Sequence, residues 1–457
     1  MKLEIHPDAI SRFDELGLSL AKLCTEKEYP SAGKTQSSHF PKPYVAASIN
    51  ENDIGEIKVG PHQRLDASGK KISEAFNLDG KRIGLEGENY IQFIKLCEAI
   101  QKAIRPQFMV SQTTIEEECF NWIRGYFCGN TTSTLVETII PIIESKISYL
   151  EIWIPIARLR VESIISIGKI EIRPISEELI NSWRDAHTSS IPDEDKTSKV
   201  FLHQFFDVDF KRPLQGKSAS VIQLTAEPKA AQEQAINETE RALSVLRLFS
   251  GAATNPYATC HTTILGRESF ETTTAIIFKN GIFSSKNKES VDNLIPWAIT
   301  DEFINLIRQT SVLDILNTLL INKNITKFQE NILDSVTLYS QATLTKQFST
   351  KLIYILAALE GIFLKNNNEP ITQNLRERVA MLIGKDLAER KSIIGNINAI
   401  YELRSAFLHH AHSVDSNQEF EGFMSNAHRA IIAVITNHDK FSTKQDFIST
   451  LDDKKFS

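Results

Sequence analysis

From Phe348 onward the chain repeats one pattern. Phe348, Leu352, Ile355, Leu359 and Ile362 step by four, three, four and three residues, the apolar stripe of a core-facing helix. Leu375, Val379, Leu382 and Ile383 predict a second helix closed by Gly384. Asp386-Leu-Ala-Glu389 has the form of a capping box opening a third, which runs through Ile393, Ile397, Ile400 and Phe407. Phe420, Phe423, Ala427, Ile431 and Val434 predict a fourth, ending at Asn437. Four amphipathic helices joined by short links argue for a helical bundle.

Upstream the pattern is mixed. To about Ile83 it is short and broken, with an alternation at Ile54–Val59 and turn signals at Gly60-Pro61 and Asp79-Gly80, which predicts short strands joined by turns. Between Glu88 and Ile104 the recurrence of Ile91, Ile94, Leu96, Ala99 and Ile104 predicts a helix, stopped by Pro106, and Thr114 begins another carrying Phe120 and Ile123. From Lys146 to Ile175 the β-branched content rises, and the alternation at Ile167-Gly-Lys-Ile-Glu-Ile-Arg-Pro174 predicts strands. Ser189–Ser198 is polar and Pro-interrupted, a surface loop. Phe201–Phe210 and Thr272–Phe278 are expected as strands, Glu227–Ser250 as a helix with Gly251 as its C-cap, and Ser284–Ser290 as a polar link. After Pro296 the strand signal nearly vanishes. The expected class is α+β: a mixed α/β region over 1–285, of one or two subdomains, then an all-α segment over 296–440 with its core at 348–437, and a polar C-terminal tail at 441–457.

Composition changes this picture little. At 457 residues, 42% hydrophobic and 24% charged, the chain can bury sizeable cores and is neither disordered nor collagenous. The net charge of −6 and pI near 6.1 supply no global attraction for nucleic acid, so any RNA contact must be local. Cys24, Cys97, Cys119, Cys128 and Cys260 are scattered, odd in number and without a CxxC, which indicates neither a disulfide framework nor a zinc site. Charges interrupt every apolar run before it could span a bilayer, and the N-terminus lacks a signal-like apolar segment. A cytoplasmic protein without a membrane partner is expected.

The candidate chemistry lies at the end of the third C-terminal helix, Tyr401-Glu-Leu-Arg404-Ser-Ala-Phe-Leu-His409-His410. A guanidinium can hold a phosphate and an imidazole can move a proton, a minimal set for cutting RNA. With 19 Arg and 11 His in the chain, an Arg–His match with four to six residues between arises by chance about once. The competing reading is an exposed Arg and a helix-terminal His that binds carbonyls. On a continuous helix five steps separate Arg404 from His409 by about 140°, so either the helix ends between them or a second chain delivers the His. Glu360 interrupts an apolar stripe and reads as a solvated edge or a supporting group. Arg376 and Arg378 read as an exposed face. His409 to His412, with His428 further on, is a poor metal set. Gly84-Leu-Glu-Gly87 lacks the rest of a phosphate-loop fingerprint, and Trp122, Trp153, Trp183 and Trp297 read as core or interface residues.

Ala358-Leu-Glu360, Leu375-Arg-Glu-Arg378-Val-Ala-Met-Leu-Ile383 and Ile400-Tyr-Glu-Leu-Arg404-Ser-Ala-Phe-Leu-His409 together resemble the Apea-like branch of the HEPN superfamily, over roughly residues 348–437. One departure is His410, where that branch usually has Gly. The resemblance implies a HEPN-like bundle that forms a homodimer and a metal-independent, cofactor-free endoribonuclease. Arg404 and His409 would be catalytic, with His410, Glu360 and Tyr401 in support and His410 able to stand in for His409. It also implies an RNA substrate, 2′,3′-cyclic phosphate products, and a role in prokaryotic defence or toxicity under a protein trigger or inhibitor. The N-terminal region would then sense or regulate. The rival expectation is a non-catalytic dimerisation or nucleotide-binding module in which Arg404 and His409 are structural.

Overall fold

The computed structural model describes residues 2–27, 62–65, 71–79, 81–189, 203–267, 272–279, 282–290, 296–365, 369–410 and 418–455. The fold is α+β, and 301–453 is all helical among the described residues. The chain divides into two compact units, Met1–Leu150 with Gln223–Glu233 and Glu151–Ile222 with Gln234–Ser457. The change from strands to helices near residue 296 therefore falls inside the second unit.

The first unit opens not with a strand but with helix α1 (Pro7–Lys22). Pro7 sits at the first turn, where its missing N–H is not needed, and Phe13, Gly17, Leu20 and Ala21 fall on one buried face. Gly17 allows close approach: a Cβ there would lie 2.7 Å from Cδ2 of Leu135. Strands β1 (Thr25–Lys27), β2 (His62–Leu65), β3 (Lys71–Leu78) and β4 (Lys81–Glu86) form an antiparallel sheet in the order β1-β4-β3-β2. The expected Asp79 turn joins β3 to β4, with Asp79 at a φ of 50°. The alternation at Ile54–Val59 and the Gly60-Pro61 signal lie outside the described residues.

Helices α2 (Gly87–Ala103), α3 (Gln112–Phe127) and α4 (Leu135–Lys146) follow in this unit, to which Gln223–Glu233 returns later in the chain. The period expected for α2 is right, and Leu96 and Ile104 of the expected stripe are buried, but the centre of the buried face lies elsewhere. Tyr90, Phe93, Leu96, Cys97 and Ile100 are buried, whereas Ile91 is exposed. An aromatic core selects this phase, because Phe93 packs edge-on against Phe120, which also meets Phe76.

In the second unit the expected strands between 146 and 175 are β5 (Ser148–Ala157), β6 (Leu159–Val161), β7 (Ile165–Ile167) and β8 (Ile170–Pro174), followed by helix α5 (Glu177–Thr188). The segment expected as a strand at 201–210 is instead helical where described. Residues 203–205 (α6), a π-helical turn at Phe206–Lys211 and Arg212–Leu214 (α7) form one run. Phe206, Phe210 and Leu214 recur every four residues, which is helical spacing. Phe206 and Phe210 stack with centroids 4.6 Å apart, in a cluster with Ile175 and Ile180. The expected loop at Ser189–Ser198 falls outside the described residues beyond Ser189.

Next come β9 (Ser218–Ala226), helix α8 (Pro228–Arg247) and β10 (Thr263–Ile264), giving a sheet ordered β10-β5-β9-β8-β7. Gly251 does not take a left-handed cap but starts a short 3-10 turn, Gly251–Ala253. β11 (Thr272–Lys279) is a strand as expected, but the polar link at 284–290 belongs to its hairpin partner β12 (Ile282–Ser290). Backbone pairing such as Ile276 with Lys286 makes a strand of a sequence with little strand preference. β13 (Trp297–Ile299) then pairs parallel with β6.

The helices that follow are α9 (Asp301–Arg308), α10 (Val312–Ile321), α11 (Lys327–Thr343), α12 (Phe348–Phe363), α13 (Ile371–Ile383), α14 (Leu387–His410), α15 (Gln418–Thr436) and α16 (Lys444–Asp453). The four expected from periodicity are α12 to α15. Leu352, Ile355, Leu359, Ile362, Leu375, Val379, Ile397, Ile400, Phe420, Phe423 and Ile431 are all buried, each worth about 1.5–3 kcal/mol relative to exposure. The segment 441–457 is not a loose polar tail: Phe447, Ile448 and Leu451 of α16 are buried, and Thr443 caps the helix by accepting from the Asp446 N–H. No helix among the described residues is long and apolar enough to cross a membrane.

Candidate functional site

The site is built on α12 and α14. The start of α14 is fixed by a shifted capping box. Asp386 Oδ1 accepts from the Glu389 N–H at 2.9 Å, while Glu389 reaches back to the Lys385 N–H at 2.8 Å rather than to that of Asp386. Arg429 of α15 ties this corner down, donating to Glu389 Oε1 at 2.8 Å and to the Ile383 carbonyl at 3.0 Å. Midway, Asn396 donates to the Glu419 carbonyl at 2.6 Å, joining α14 to the first turn of α15. Ile393, Ile397 and Ile400 bury the intervening face.

One turn later three of the expected residues meet. Tyr401 donates its hydroxyl to Glu360 Oε1 at 2.8 Å. Arg404 Nη1 stands 4.0 Å from the same oxygen, and its guanidinium carbon lies 5.8 Å from the Tyr401 ring centroid. Glu360 is therefore not simply the solvated edge of α12; its carboxylate is shared by both α14 residues. Burial, with the Glu360 carboxylate adding to it, pushes the Tyr401 phenol well above its ordinary range, so it stays a protonated donor. Arg404 is 35% exposed, which leaves its guanidinium open to a ligand from solvent.

His409 and His410 belong to the same helix, which runs unbroken to His410. Of the two arrangements open from the sequence, a helix end between Arg404 and His409 is absent. Nothing from Tyr401 to His410 is Gly or Pro, and His410 continues the helix where the resembled branch would have Gly. With about 100° per residue, the Cα directions of Arg404 and His409 differ by about 140°. Beyond their helical backbone, the side chains of His409 and His410 lie outside the described set, as does His412.

Arg376 and Arg378, expected on an exposed face, behave differently. Arg378 is 2% exposed and donates to both carboxylate oxygens of Glu369 (2.9 and 3.0 Å), both of Asp452 (2.9 and 3.1 Å) and the Phe363 carbonyl (2.7 Å). It joins the end of α12, α13 and α16. Arg376 donates to Asn398 on α14. Lys351 is also buried, donating to the Ala258 carbonyl at 2.7 Å, and burial lowers its ammonium to about 8. Both buried cations had a legible signal: Lys351 lies three residues after Phe348 and four before Ile355, and Arg378 three after Leu375, each on the apolar stripe. His428 is held by the Leu248 carbonyl at 3.0 Å.

The Gly-rich segment before α2 serves packing. A Cβ on Gly84 would meet the Glu74 carbonyl oxygen of the adjacent strand at 2.1 Å. Trp122 is buried, and Trp153 packs edge-on to Trp183. No group of His, Cys, Asp and Glu among the described residues is arranged to hold a metal ion. No family model, no curated protein and no solved structure matches this chain.

Proposed function

We propose that the chain is a metal-independent endoribonuclease of the HEPN type, in which Arg404 and His409 act on one phosphate across a two-fold axis between two copies. The observation that carries this reading is the partly exposed cluster in which Glu360 of α12 meets Tyr401 and Arg404 of α14, the same unbroken helix that carries His409. Glu360 and Tyr401 orient the guanidinium without covering it, so Arg404 is a pre-positioned ligand for a phosphodiester. Because a single straight helix directs Arg404 and His409 about 140° apart, the productive pair is Arg404 of one copy with His409 of the other.

In this mechanism His409 accepts the proton of a ribose 2′-OH as that oxygen bonds to the adjacent phosphorus. Arg404 stabilises charge on the non-bridging oxygens, and the bond to the 5′-oxygen breaks as that oxygen takes up a proton from water. One product ends in a 2′,3′-cyclic phosphate and the other in a 5′-hydroxyl. The adjacent His410 is the alternative candidate for that base, and in that case H410A rather than H409A would abolish cleavage. The setting that fits is a cytoplasmic defence or toxin effector, with the N-terminal region responding to a trigger or restraining protein.

A mixed-dimer experiment tests the pairing. R404A and H409A homodimers should each lose RNA cleavage, whereas the heterodimer of the two variants retains one intact composite site and should recover about half of the wild-type rate. An inactive heterodimer would place both groups of a site on one chain. Cleavage undiminished in both homodimers would refute the assignment of the pair. The second reading, a non-catalytic dimerisation or nucleotide-binding module, draws on the same cluster, since Glu360 and Tyr401 already give Arg404 a structural use. It would prevail if wild-type protein cut no RNA while these variants lost only dimerisation.

A further inference from the structure

The first unit contains a cavity of about 730 Å³ between the start of β3 and one face of α2, a size typical of small-molecule sites. Ile91 and Ile94, two members of the apolar stripe that the sequence offers as core, line it together with Ile72. Ile72 and Ile91 are 40% and 47% exposed, so apolar side chains that the aromatic core leaves out form the wall of this cavity.

Its polar groups are deeply placed. Ser73 and Tyr90 both line it at 4% and 3% exposure, and neither hydroxyl has a hydrogen-bond partner among the described residues. A buried hydroxyl without a partner costs stability, and two of them on one cavity mark a place where a ligand supplies the missing bonds. Their positions are set by separate elements. Ser73 is held in the β3–β4 ladder opposite Glu86, and Tyr90 lies one turn into α2, which follows β4 directly because Gly87 takes a left-handed φ of 59°.

Charge narrows the choice of ligand. Lys71, Lys95, Glu86 and Glu98 stand around the cavity, two of each sign, and Lys71 is paired at 2.7 Å with Glu74. No net field therefore selects an ion. Burial, with the charges of Glu74 and Glu116 adding to it, pushes the Tyr90 phenol well above its ordinary range, so it stays a neutral O–H. An anionic head beside it would meet the same carboxylates. A pure hydrocarbon would fill the apolar wall but leave both hydroxyls unpaired, whereas a neutral carbonyl or amide satisfies them without desolvating a charge.

We propose that this cavity binds a neutral, largely apolar small molecule bearing an amide or carbonyl head, with the head hydrogen-bonded to Ser73 and Tyr90 and the body against Ile72, Ile91 and Ile94. The site shares no residue with the Arg404 cluster and is independent of RNA cleavage.

Saturation-transfer NMR titration of the full chain with octanamide, octanoate and octylammonium tests the proposal, since the three share one tail and differ in the charge of the head. Octanamide should bind saturably, and about fivefold or more tightly than either ion. Hydrogen exchange should show it protecting backbone amides at 71–73 and 87–91. Y90F and S73A should each weaken octanamide about threefold to tenfold, and I91E, at an exposed position, about tenfold or more. Both hydroxyl variants should keep or raise the urea midpoint of the empty protein, because each deletes a buried group that has nothing to bond. Lower affinity without lower stability distinguishes a ligand-binding hydroxyl from one bonded inside the fold. Four results would overturn the proposal: no saturable octanamide binding up to its solubility limit, an ion binding as tightly as the amide, unchanged affinity in folded Y90F and S73A, or a lowered urea midpoint in both.

Discussion

Replacing Arg378 by Met should damage the helical bundle far more than a change at a nominally polar helix position normally does. Arg378 is 2% exposed and makes five hydrogen bonds, four of them to the carboxylates of Glu369 and Asp452. Removing one partner of a buried ion pair costs about 3–5 kcal/mol, because the remaining charge is left desolvated. The lower end applies here. Asp452 keeps Lys365 at 3.2 Å and Lys455 at 3.1 Å, and Glu369 keeps the Asn374 amide at 2.8 Å. A loss of about 3 kcal/mol lowers the melting temperature of a unit of this size by about 5 °C.

The assay is urea and thermal unfolding at pH 7, followed by far-UV circular dichroism. The triple variant R378M/E369Q/D452N should recover most of the loss, since no buried charge is then left unpaired. The pH dependence carries a sign as well. Burial alone would raise both carboxyls, but the hydrogen bonds and charge of Arg378, with Lys365, hold Glu369 and Asp452 below their ordinary values. Their contribution is therefore fully present above the unfolded carboxylate values near pH 4 and is lost as pH falls through the lower folded values. R378M should flatten that acid slope. A single variant within about 1 kcal/mol of wild type, with an unchanged acid slope, would refute the ionic account.

Four other outcomes are expected. Y401F should slow RNA cleavage several-fold without abolishing it, because Glu360 still faces Arg404 but loses the phenol that orients it; single-turnover assays with wild type and R404A as brackets measure this. G84A should destabilise the first unit by about 1–3 kcal/mol or more in urea unfolding, whereas G125A, whose new Cβ meets nothing closer than 3.5 Å, should not. His428 is held neutral by burial, so its contribution is present above its unfolded value near pH 6.5 and declines as pH falls toward the lower folded value; H428Q should remove that part of the melting temperature's pH dependence between pH 7.5 and about 5.5. K351M should raise hydrogen exchange at 258–261 by freeing the Ala258 carbonyl, with mass spectrometry as the readout.

Sequence periodicity identified α12 to α15 because their stripes face a shared core, where packing and pattern agree. It failed where an element is defined by partners elsewhere. The 282–290 strand exists through pairing with 272–279, and helix 444–453 through its burial of Phe447 and Leu451 and the Arg378 to Asp452 bonds. Phe206, Phe210 and Leu214 held the right signal, masked by the β-like alternation around them. At the candidate site, Arg404 and Tyr401 were legible from local spacing. The carboxylate that joins them comes from 41 residues earlier in the chain, a contact no local pattern encodes.

The division of the chain has an evolutionary consequence. The first unit takes in Met1–Leu150 and then, after a long absence, Gln223–Glu233. The returning stretch contains Glu227, whose carboxylate accepts from the backbone of Ser111 at 3.0 Å and of Ala230 at 2.8 Å, both within that unit. A single recombination junction after residue 150 would leave this piece behind, so an intact first unit cannot be exchanged for another by one crossover. Its diversification must proceed by substitution within an inherited frame, or by simultaneous replacement at two separated loci, and a fragment ending at Leu150 is a poor surrogate for it.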